Sequence, residues 1–192
     1  MSHPTTAEGA TLTEQLLDCS RRNNVDLLDS IFESLNHDPH KIAELINESK
    51  DPLGNTCLHL CCKYGSWEVL DKILDQEGGI EIDPQNNIDG DTPLHVAVRY
   101  SLTEPEHGTF ICQNLIDCGA DARIKNKAGE KPIDLVHGDD LDDLADLLQG
   151  AEIAADEGPN IAAENVDDDD DDGNDDEEDD DDDDDSDKSN KH

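Results

Sequence analysis

Gly90-Asp91-Thr92-Pro93-Leu94-His95-Val96-Ala97 holds the strongest local signal in this chain. It reads as a turn, a helix start and then a small-residue helical face. Thr92 can cap the first orphan amides of a helix, and Pro93 stands at the first helical position, where its missing N–H costs nothing. The pattern is echoed upstream by Gly54-Asn55-Thr56-Cys57-Leu58-His59-Leu60-Cys61 and more faintly downstream by Gly129-Glu130-Lys131-Pro132-Ile133-Asp134. A Thr and a His close together suggest chemistry. Their recurrence in a second copy makes them architecture.

Working outward, residues 1–11 are small, polar and without periodicity, and are expected to be disordered. From Leu12 the apolar spacing is helical: Leu12, Leu16 and Cys19 share one face, and Val25, Leu28, Ile31 and Leu35 another, with Asn23-Asn24 as the turn between. Pro39 opens a third short helix carrying Ile42, Leu45 and Ile46, and Asp51-Pro52 ends it. After Gly54–Cys61 comes a helix with Trp67, Leu70, Ile73 and Leu74, which Gly78-Gly79 is expected to close, and Ile80 to Asp89 makes a projecting loop. Ser101 to His107, with Pro105, reads as a loop insertion; Ile111, Cys112, Leu115 and Ile116 form the next stripe. The last unit runs from Gly129 into a helix carrying Leu141, Leu144, Leu147 and Leu148, stopped by Gly158-Pro159. Its acidic first turn (Asp139, Asp140, Asp142, Asp143) suits the positive end of a helix dipole. Thr56 and Thr92 are 36 residues apart, and Ile73 and Leu115 are 42, the extra six matching the Ser101–His107 insertion.

Thr92-Pro93-Leu94-His95-Val96-Ala97 matches T-P-L-H-x-A, and Cys118-Gly119-Ala120-Asp121 carries a Gly-Ala-Asp loop. On these residues the chain resembles the ankyrin-repeat family, whose unit of about 33 residues is a turn plus two helices. The resemblance covers about four units over residues 12–150. The third unit matches best, the second has Cys57 in place of Pro, and the fourth has Lys131 for Thr and Asp134 for His; the first keeps only a helix pair. Degenerate ends are expected, because a terminal repeat faces water on one side. The implied fold is an all-α ankyrin solenoid over residues 12–157, followed by a disordered acidic tail over 158–192. The resemblance further implies that Thr56, Thr92 and Pro93 start helices and that His59 and His95 tie neighbouring turns.

Charge narrows the function. The chain carries 51 acidic residues against 13 Lys plus Arg, a formal net charge of -38. Direct contact with nucleic acid or an anionic membrane is excluded, since phosphates would be repelled, and a basic protein partner is favoured. Glu164 to Asp187 alone holds 19 acidic and no basic residues, while residues 1–163 hold 32 acidic against 11 basic. Such a tail cannot bury apolar surface and repels itself when compact. No run approaches the ~20 apolar residues of a membrane span, and no secretory leader precedes Leu12. The chain is therefore expected to be a soluble, monomeric, cytoplasmic protein, small enough at 21.0 kDa to reach the nucleus by diffusion.

The six cysteines (Cys19, Cys57, Cys61, Cys62, Cys112, Cys118) form no Cys-x-x-Cys pair and read as small buried hydrophobes. No metal or cofactor is expected. No Walker loop, dinucleotide fingerprint, nucleophile elbow or HExxH motif occurs, so an enzyme is not expected. Trp67 is expected in the core.

Two sets remain as candidate contacts for a partner. Aligning the units puts Arg21-Arg22, Lys63-Tyr64 and Arg99-Tyr100 in one slot, which in the ankyrin family faces the concave groove. The slot holds the chain's two tyrosines and four of the 11 basic residues before the tail. Tyr and Arg dominate interface hot spots, though these residues also serve as ordinary packing. At the loop tips Pro52, Leu53 and Asn55, then Ile88, Asp89 and Asp91, then Lys127 and Glu130 flank the glycines, and Leu53 and Ile88 are apolar where exposure is expected. Two functions fit. One is a non-catalytic escort or assembly factor for a basic client of the ribosomal-protein or histone type. The other is an adaptor that takes an acidic or aromatic peptide between Arg21, Arg22, Lys63 and Arg99, with the tail as competitor.

Overall fold

The structure is a computed structural model and describes residues 9–158. Among them are eight α-helices and no β-strand. They are α1 (Leu12–Arg22), α2 (Val25–Ser34), α3 (Pro39–Glu48), α4 (Cys57–Tyr64), α5 (Trp67–Leu74), α6 (Pro93–Ser101), α7 (Pro105–Asp117) and α8 (Asp142–Glu157). The all-α solenoid expected from the repeats is what the chain forms. The expected tail from Pro159 onward, and residues 1–8 of the N-terminal segment, lie outside the described residues. Thr11, which the sequence places in that segment, is the N-cap of α1. Its hydroxyl accepts from the Glu14 amide at 3.2 Å, and its own N–H donates to the Glu14 carboxylate at 2.8 Å.

The units stack through their first helices: α1 lies on α4, α4 on α6, and α6 on the 3-10 turn Pro132–Leu135. Each first helix pairs with the helix that follows it, α1 with α2, α4 with α5, and α6 with α7. One continuous core results, from Leu16 and Leu28 through Leu58, Leu70 and Leu94 to Leu115, Leu144 and Leu148. Small side chains set the spacing between rows: Cys57, Cys61, Cys62, Ala97 and Cys112 are fully buried. All six cysteines are free, but Cys118 is exposed, against the expectation of burial, because it follows the last turn of α7.

Three boundaries and one burial differ from the expected ones, each for a local reason. The stretch around Pro105 is not a loop. Proline fits the first helical position, so residues 105–110 become the first turns of a 13-residue α7. Gly108 permits this, since a Cβ there would run into the Cα of Ser101 on α6. Helix α5 ends at Leu74, before Gly78-Gly79. Asn47 of the inserted α3 holds the outgoing chain instead, donating to the Gly79 carbonyl at 3.0 Å and accepting from the Glu81 amide at 2.9 Å. The fourth unit shrinks its first helix to four residues, Pro132–Leu135, which pack on α6 and α8. Trp67 is only half buried, because it opens α5 at the surface and Val69 takes the core place beside Leu70 and Ile73.

Candidate protein-binding site

The site is framed by a chain of turns. His59 Nδ1 accepts from the Thr56 N–H at 3.1 Å, which leaves Nε2–H to donate to the Asp91 carbonyl of the next unit at 2.8 Å. His95 repeats this, accepting from Thr92 N–H at 3.2 Å and reaching the Glu130 carbonyl at 3.0 Å. The local half of the device survives at the array's end, where the Asp134 carboxylate accepts from the Lys131 N–H at 2.8 Å. A carboxylate cannot donate onward to another turn. Burial pushes both imidazoles below their ordinary pKa, against the pull of the neighbouring Asp91 carboxylate.

A second ladder runs through the loop tips. Asp51, Asn86 and Asn126 each accept two backbone N–H groups within their own loop: Leu53 and Asn55, Asp89 and Asp91, Ala128 and Glu130. The amide of Asn86 then donates to Asn55 at 3.1 Å, and that of Asn126 to Asp91 at 2.9 Å. Sequence reasoning missed this ladder. Its signal is an Asp or Asn five or six residues before the Thr or Lys that starts each unit's first helix.

The predicted basic and aromatic pairs do occupy equivalent places, the last turns of α1, α4 and α6, where cations suit the negative end of a helix dipole. They differ in availability. Arg99 Nε donates to the buried Asp91 carboxylate at 2.9 Å. Arg21 stands 3.9 Å from Asp51, and Arg22 pairs with Asp18 of its own helix at 3.1 Å. Partial burial would raise the Asp51 carboxyl, but hydrogen bonds from Asn55 and Leu53, with Arg21 nearby, hold it below the usual carboxylate range. Lys63 makes no ion pair among the described residues, and its ammonium lies 5.8 Å from the Tyr64 ring centroid. Tyr100 is partly packed: its hydroxyl meets His107 Nδ1 at 3.0 Å and fills the space left by Gly65.

The structure gathers five of the eight predicted contact residues around one cavity of about 370 Å³. Leu53 and Ile88 form its rim from two successive loop tips, 48% and 59% exposed. Lys63 of α4 and Arg99 and Tyr100 of α6 line it from the helices. Arg21 and Arg22 do not line it, and neither does Tyr64, which is half exposed. Of the framework residues, His59 forms part of the wall, whereas Thr56, Thr92, Pro93 and His95 do not line the cavity. Asn55, Asn86, Asp89 and Asp91 add a polar edge, and Val96 and Thr103 complete the wall. Val96 and Thr103 escaped the sequence reading, yet Val96, Arg99 and Tyr100 fall at i, i+3 and i+4 on one face of α6, and Thr103 continues that spacing past its end.

Leu53, Ile88 and Val96 give the cavity an apolar part, bordered by polar and charged side chains. Among the described residues no group of His, Cys, Asp and Glu is placed to hold a metal ion. The family model for ankyrin repeats (3 copies) matches residues 16–126, so the chain belongs to the ankyrin-repeat family. It is also 70% identical over 160 residues to ankyrin repeat-containing protein YGL242C of Saccharomyces cerevisiae, across 83% of this chain and 88% of the relative. The family defines the chain as a protein–protein interaction module.

Proposed function

We propose that the chain is a non-catalytic escort for a basic client protein, with the Leu53–Ile88 cavity as specific anchor and the acidic C-terminal segment as general charge shield. One observation carries the reading. The cavity is apolar at its rim, and three of the four cations expected around it are paired to carboxylates, Arg99 to Asp91, Arg21 to Asp51 and Arg22 to Asp18. An adaptor for an acidic peptide needs free cations, and only Lys63 of that set makes no ion pair among the described residues. A client with an apolar anchor beside basic residues suits this surface and its formal -38 charge better.

The test compares full-length protein with a chain ending at Gly158, each used to capture partners that are then identified by mass spectrometry. The escort reading expects strongly basic proteins, with capture weakened by truncation, by salt and by Ile88→Asp. Recovery of no basic protein from either form overturns it. Tighter capture after truncation would instead support the adaptor with a competing tail.

A further inference from the structure

Only one of the chain's five aromatic side chains, Phe32, is buried in the core. Trp67 and Phe110 meet edge to face on the outer helices α5 and α7, ring centroids 4.4 Å apart, with Phe110 45% exposed. Neither residue lines the cavity between Leu53 and Ile88. We propose that this aromatic pair is a second docking surface, which receives the Lys and Arg side chains of a basic polypeptide segment.

Charge complementarity picks the occupant. Asp71 stands four residues after Trp67 and Glu106 four before Phe110, so each carboxylate shares the helix side of its ring. Further along the two helices, Asp71, Asp75 and Asp117 converge on Cys118, whose thiol is raised by partial burial and then by those three carboxylates. The basic side chains near this face are committed elsewhere: Lys72 is bound to Asp29 of α2 at 2.6 Å, and His107 is turned to the Tyr100 hydroxyl. An aromatic face flanked by carboxylates that make no ion pair among the described residues, Asp117 accepting only from Gln113 at 2.8 Å, attracts a guanidinium or ammonium through both the ring quadrupole and Coulomb forces. Anionic or purely apolar partners would meet repulsion or too small an apolar area there.

Trp67 is the chain's only tryptophan, so its emission reports this surface directly. The experiment titrates full-length protein with a short oligo-arginine peptide, following Trp67 fluorescence and, in parallel, total binding by calorimetry. A saturable emission change is expected. Phe110→Leu, which keeps the apolar packing, should weaken it about two- to fivefold, and Asp71→Asn with Asp117→Asn should weaken it further. Ile88→Asp should leave the Trp67 response intact, which separates this surface from the cavity. Calorimetric binding without any change in Trp67 emission would place the peptide elsewhere and overturn the proposal. So would an emission response that Phe110→Leu and the Asp→Asn pair leave unchanged.

Discussion

At the scale of single residues, His95 shows how one side chain joins two units. Its ring accepts from Thr92 N–H and donates to the Glu130 carbonyl, which requires the neutral imidazole. Burial lowers its pKa in the fold, so as pH falls through about 6.5 the unfolded chain takes up a proton that the folded chain refuses. The stabilising contribution is therefore complete above that pH and is lost as pH drops towards the depressed folded value. Replacing His95 by Gln is expected to lower stability at pH 7.5 by ~1–2 kcal/mol. In urea melts the gap between wild type and H95Q should narrow steadily below pH 6.5, where other acid effects are common to both. A gap that stays constant from neutral pH to pH 5 would show that the imidazole is not held neutral. The paired role was legible in the sequence as a repeated Thr-x-x-His. The commitment of Arg99 to Asp91 was not, because seven intervening residues and a helix turn separate the partners.

At the scale of elements, two mid-helix glycines separate propensity from packing. Gly108 in α7 abuts Ser101 of α6, so a Cβ would push apart two helices in the same unit. Gly150 in α8 has nothing within 4 Å of an added Cβ and has no positive φ that would bar a side chain. Gly108→Ala is expected to destabilise the fold by ~1–3 kcal/mol through overpacking, whereas Gly150→Ala is expected to stabilise it by ~0.5–1 kcal/mol through helix propensity. Thermal melts of the two variants should move in opposite directions, and a shared direction would discard this account. Element existence was legible from apolar spacing and caps. Element ends were not, because Pro105 serves a loop and a helix start equally well, and the chain beyond α5 is held by a side chain from α3.

At the scale of the whole molecule, electrostatic self-repulsion opposes compactness. Residues 1–163 alone carry 32 acidic against 11 basic side chains. Only some of these are relieved by pairs such as Lys72–Asp29, Arg123–Asp121 and Lys131–Glu152. Raising sodium chloride from ~0.02 M to ~0.5 M shortens the Debye length from about 20 Å to about 4 Å and should raise the melting temperature by several degrees. A fall with salt would mean that the ion pairs outweigh the repulsion.

The sequence by itself determined the repeat architecture, because helix caps, turn glycines and small interface residues act locally and recur at a period that survives insertions. It also determined the sign of the chain's own charge, since composition alone sets it. Tertiary structure decided which of the equivalent slots line a cavity. Arg21-Arg22, Lys63-Tyr64 and Arg99-Tyr100 look alike along the chain, yet only the slots of α4 and α6 contribute to the wall of the 370 Å³ cavity. Helix stacking sets Leu53 and Ile88 on neighbouring tips above them, while loop carboxylates occupy most of the arginines. The stretch Gly90–Ala97 builds that frame, and its one wall residue outside the turn is Val96, next to the alanine that lets the helices meet.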